Sequence, residues 1–99
     1  MIETDASQGD DVITLVWDRS ASPDVVGYDV YRSQSPNSGF AKVNKDLIMG
    51  TTYFRDEGLA QLTKYYYQVA TVDSSRVPSL PSAVVERSTA PAEREGFPV

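Results

Sequence analysis

Hydrophobic positions along this chain recur with a period of two rather than 3.6. Ile13, Leu15 and Trp17 alternate with Thr14 and Val16, which puts the first three on one face of a strand. A second alternation sets Tyr28 and Val30 on one face and Asp29 and Tyr31 on the other. The longest run, Tyr65 to Val72, points Tyr65, Tyr67, Val69 and Thr71 one way and Tyr66, Gln68, Ala70 and Val72 the other. Aromatic and β-branched residues dominate these runs, as a pleated, half-buried surface requires. Shorter strand candidates are Phe40 to Val43, Thr51 to Arg55 and Ala83 to Thr89, with Ile2 to Ala6 as an edge strand. Turn signals at Gly9-Asp10, Ser22-Pro23-Asp24, Asn37-Ser38-Gly39, Gly50 and Gly58 separate them. No window of ten or more residues carries a helical stripe. Seven short strands predict two antiparallel sheets packed face to face, because one small sheet alone leaves an apolar face in water. The inward period nominates Trp17, Tyr28, Val30, Tyr65, Tyr67 and Val69 as core.

Five segments, in this order and spacing, resemble a fibronectin type III domain of the kind found in secreted bacterial multidomain proteins. They are Ile13-Thr14-Leu15-Val16-Trp17-Asp18; Val26-Gly27-Tyr28-Asp29-Val30-Tyr31-Arg32-Ser33; Gly39 to Asn44; Thr52 to Asp56; and Gly58-Leu59 through Tyr65 to Asp73. The resemblance implies an all-β, immunoglobulin-like sandwich of seven antiparallel strands in two sheets, with Trp17 filling the space between them. It also implies that Leu59 joins the core and that the Tyr65 hydroxyl reaches back to backbone at the turn before its strand. Two departures are visible. Gln61 and Leu62 stand where the family usually has proline and glycine, which predicts a looser turn. The first strand lacks the usual proline-led opening, so its extent is left open. The stretch after Thr89 is polar and punctuated by proline and glycine, so residues 1–90 are read as the domain and 91–99 as a linker or disordered tail. The implied role is a spacer, orienting or protein-interaction module beside neighbouring domains of a larger extracellular bacterial protein.

Composition narrows the chemistry. Ninety-nine residues suit one domain, with 40% hydrophobic and 23% charged residues in the ordinary soluble range. The formal net charge of −5 argues against binding a phosphate backbone, and the cations are scattered without a run. No apolar stretch approaches a membrane span. The chain has no histidine and no cysteine, which takes away imidazole and thiol nucleophiles and most zinc and haem ligand sets. No cofactor and no catalysis are expected. Acids such as Asp18, Asp24 and Asp56 are read as solvated turn residues bonding local backbone N–H groups. Calcium is a minor option if Asp10, Asp11 or Asp73 gather at one end, although no calcium-loop spacing is present. Tyr31, Tyr66 and Gln68 share the predicted outward face, extended by Val72, and form the candidate contact surface for a protein or a polysaccharide. The alternative reading of these rings is simple cross-strand stabilisation. The isolated domain is expected to be a monomer.

Overall fold

The computed structural model describes residues 2–8, 11–79 and 81–89. Seven strands follow in chain order: β1 Ile2–Gln8, β2 Ile13–Trp17, β3 Val25–Ser33, β4 Ala41–Lys42, β5 Tyr53–Asp56, β6 Lys64–Asp73 and β7 Val85–Ser88. They form a three-stranded sheet, β1-β2-β5, and a four-stranded sheet, β4-β3-β6-β7, every pairing antiparallel. The expected strands all exist, with shifted ends. β1 runs two residues beyond Ala6, while β4 keeps only the middle of Phe40 to Val43. β5 begins at Tyr53 rather than Thr51, and β7 at Val85 rather than Ala83.

β4 is short because the chain beyond it pairs with β3 through a side chain. The Val30 N–H donates to Asn44 Oδ1 at 2.8 Å, and Asn44 Nδ2 donates to Asp29 Oδ1 at 2.9 Å. Backbone pairing resumes between Tyr28 and Ile48. Gly27 is what allows the close approach there: a Cβ on it would stand 2.6 Å from Leu47 Cγ and 2.8 Å from the Ile48 carbonyl oxygen. This is a local consequence of a glycine at an edge where backbones converge.

The interior lies between the sheets and is built from Ile13, Leu15, Trp17, Tyr28, Val30, Leu59, Tyr65, Tyr67 and Val69. Tyr67, Ile13, Leu15 and Val30 are the largest completely enclosed side chains. Trp17 and Tyr28 meet edge to face, with ring centroids 5.5 Å apart, a favoured arrangement for aromatic quadrupoles.

The turn before β6 departs from its expectation. The Ala60 N–H donates to the Tyr65 hydroxyl at 3.0 Å, and Thr89 Oγ1 donates to the Ala60 carbonyl at 2.5 Å. Both contacts tie the turn down, and it stays tight although its glycine position is occupied by Leu62. That residue takes φ +52°, with its side chain 74% exposed. The backbone accepts left-handed strain at a bulky residue rather than opening the turn.

Candidate functional site

The polar chemistry of the interior is concentrated at the end of the sandwich where β6 begins. Arg32 alternates inward from β3 and reaches across to Asp56, the last residue of β5 in the opposite sheet. Arg32 Nη1 donates to Asp56 Oδ1 at 2.9 Å and to Oδ2 at 3.0 Å. The Tyr67 hydroxyl donates to Asp56 Oδ2 at 2.7 Å. The guanidinium also lies over the Tyr65 ring, 5.5 Å from its centroid. Burial, then the hydrogen bond to Asp56, pushes the Tyr67 phenol well above its ordinary pKa of 10.0. Asp56 is therefore no solvated turn acid. It is 5% exposed and joins the two sheets. The only sequence signal for this group was Arg32 standing at an inward-facing strand position, which asks for a buried acceptor.

The predicted contact residues occupy one face of the four-stranded sheet. Tyr31 lies directly opposite Gln68, and Tyr66 lies opposite Ser33. The two rings are thus diagonal neighbours rather than a direct cross-strand pair. Both are half-buried. Burial, with Asp29 nearby, raises the Tyr31 phenol above its ordinary range. Gln68 Nε2 already donates to the Ser82 carbonyl at 3.0 Å. Val72 is 4% exposed, so the face does not extend to it as expected. Tyr53, on β5 of the other sheet, is more open at 48% exposed.

The acids considered for calcium are separated. Asp11 sits at the β6-start end, where its carbonyl accepts the Leu59 N–H. Asp73 ends β6 at the opposite pole, and its Oδ1 accepts the N–H groups of Ser75 and Val77, each at 2.9 Å. That carboxylate organises the tight turn carrying Arg76 at φ +65°. Asp10 lies outside the described residues. Among the described residues, no cluster of three or more acids is placed to hold a metal ion.

Two hollows flank the β2–β3 connection. One of about 570 Å³ is walled by Ser22, Pro23, Gly50 and Thr51 among others. The other, of about 450 Å³, runs between Asp18–Ala21 and the segment after β6, with Trp17, Tyr28, Val69 and Pro81 among its walls. Trp17 is 4% exposed, and its indole Nε1 has no hydrogen-bond partner among the described residues.

Two antiparallel sheets of orders β1-β2-β5 and β4-β3-β6-β7, closed over one apolar interior, define an immunoglobulin-like β-sandwich. No family model and no curated protein matches the sequence. Solved structures do. A fibronectin type III-like protein from Clostridium thermocellum superposes with a TM-score of 0.69 at 28% identity, over 87% of this chain and 84% of that one. A fibronectin type III domain of human contactin 1 superposes at 0.75 with 18% identity, over 92% of this chain and 75% of that one, a likeness of fold. The chain has the fold of a fibronectin type III domain. It also matches 12% of the length of a β-1,2-glucanase from Parabacteroides distasonis, over 90% of this chain, with a TM-score of 0.73 and 23% identity. Such partial matches within larger proteins fit an accessory domain. Among the described residues, no helix is long and apolar enough to cross a membrane.

Proposed function

We infer that this domain is a non-catalytic module that spaces, orients or docks neighbouring domains in a larger, extracellular bacterial protein. The observation that supports the reading is strand direction. β1 starts at Ile2 beside Trp17, whereas β7 ends at Ser88 beside Lys64, at the opposite pole of the sandwich. A chain entering at one pole and leaving at the other sets its neighbours in line, one sandwich length apart. The two sheets are locked to each other by Asp56, which resists shear between them and keeps that length constant. Its partners on this reading are neighbouring domains, and the module itself is a monomer.

A second reading uses the Tyr31, Tyr66 and Gln68 face against a glycan or protein, and their common placement on one sheet face is what favours it. Half-buried rings and an amide already bonded to Ser82 weigh for the spacer. Chemical-shift titration with a panel of soluble oligosaccharides separates the two. The spacer reading expects a silent spectrum at those three residues. Saturable shifts confined to them would replace it with the binding reading.

A further inference from the structure

We propose that the outer edge of β5 is a docking edge for an extended, acid-bearing segment of a partner protein, which pairs with it as an added strand of the three-stranded sheet. Docking here is independent of the spacer role, since a strand added at the side of the sandwich leaves both poles clear.

Two open sheets have four edge strands, and unpaired edge groups invite another chain unless something blunts them. Three of these edges are blunted. β1 breaks register between Thr4 and Gln8 and lies against β7. β4 is two residues long, and Asn44 takes over its pairing with β3. On β7, the Arg87 guanidinium donates to the Glu86 carbonyl at 2.7 Å. β5, four residues long, has neither a break nor a cover. It pairs with β2 in unbroken register from Ile13↔Asp56 to Val16↔Tyr53. The Trp17 N–H donates to the Thr52 carbonyl at 3.1 Å, and that bond sets the phase. Phe54 and Asp56 turn their backbone groups toward β2, while Tyr53 and Arg55 turn theirs outward. Those outward N–H and C=O groups have no partner among the described residues.

The occupant's pattern follows from the side chains that alternate along β5. Phe54 packs half-buried against the core, so the residue opposite it should be apolar. Tyr53, 48% exposed, suits a β-branched neighbour on the outer face. Arg55, also outward, asks for an acid. Its Nε already pairs with Glu57, and its two terminal nitrogens remain. Because β1 lies against β7, β5 comes beside β4 at the other side, where Arg32 reaches Asp56. The further charges there are Asp46 with Lys42 and Lys45, neither lysine paired with an acid among the described residues. Asp56 is taken up inside by Arg32 and Tyr67. Cations thus outnumber acids along this side of a chain whose net charge is −5. A partner segment running antiparallel therefore reads acid, apolar, β-branched. Main-chain bonds supply the affinity of such pairing, and the alternating side chains its selectivity.

The intact chain, labelled with nitrogen-15, is titrated with the peptide acetyl-Thr-Val-Glu-Val-Thr-Val-Thr-amide. Docking predicts saturable shifts and slowed hydrogen exchange at the Tyr53 and Arg55 amides. Methylating the peptide nitrogens of the glutamate and of the threonine two residues beyond it removes the pairing bonds and should abolish both effects. Exchanging the glutamate for lysine should raise the half-saturating concentration roughly tenfold. Tyr53→Pro deletes one outward N–H at a strand start, where proline is tolerated, and should weaken binding similarly with the urea midpoint nearly unchanged. The proposal fails if the peptide does not saturate these shifts, if the methylated peptide binds as well, or if the shifts gather on β4 or β7. It fails equally if the Tyr53 and Arg55 amides shift with chain concentration alone, because the edge would then serve a second copy of the chain.

Discussion

The two poles of this sandwich solve the same burial problem in opposite ways. At the pole where β6 begins, a carboxylate is carried into the interior and given three hydrogen bonds, from Arg32 twice and from Tyr67. At the other, Trp17 and Tyr28 fill the space with rings, and the indole N–H has no partner among the described residues. A buried polar group that is satisfied specifies how the sheets sit on each other, and an unsatisfied one carries a cost in stability. The contrast places a polar lock between the sheets at one end and aromatic packing at the other.

The largest test of this contrast is truncation at the aromatic pole. Trp17→Ala should cost about 3–5 kcal/mol in urea unfolding, from lost burial and the cavity left behind. Trp17→Phe should cost well under half of that, because the N–H it removes has no partner to lose. A Phe variant as damaged as the Ala variant would show that the indole is bonded after all.

At the polar pole, Asp56→Ala should cost about 3 kcal/mol, since it strands a buried tyrosine hydroxyl and a partly buried guanidinium. Tyr67→Phe, which leaves the Arg32 pair intact, should cost only about 1 kcal/mol. If the two variants unfold at the same urea concentration, Asp56 is not the centre of the group.

The same residues set an alkaline limit. The folded Tyr67 holds its proton above the pH, near 10.0, at which an unfolded tyrosine releases it. Its contribution is therefore complete below pH 10 and falls as pH rises beyond it, by up to about 1.4 kcal/mol per unit. Urea midpoints measured on either side of pH 10 should show this decline, and Tyr67→Phe should flatten it. A decline of equal slope in Tyr67→Phe would assign it to other groups.

The smallest effect is a gain. Leu62→Gly relieves a left-handed residue whose side chain contributes little burial, and should stabilise the domain by about 0.5–1 kcal/mol. A lower thermal midpoint for this variant would mean that the exposed leucine is holding the turn in another way.

Strand number, sheet faces and the aromatic core were legible along the chain, because alternation is a one-dimensional record of which side faces water. Trp17, Tyr28, Tyr65 and Tyr67 could be assigned in that way, and Leu59 through the family resemblance. The roles of charged residues could not. Asp56 and Asp73 look alike in sequence, each an acid at a strand end, yet one bridges two sheets and the other ties its own turn. What separates them is which strand of the opposite sheet comes to lie nearby, a relation between residues 24 positions apart for Arg32 and Asp56. Tyr31 and Tyr66 show the same limit: alternation put them on one face, and only the register of β3 on β6 made them diagonal. Short-range periodicity determined the layers, while sheet-to-sheet packing decided which polar groups found partners and left the Trp17 indole without one among the described residues.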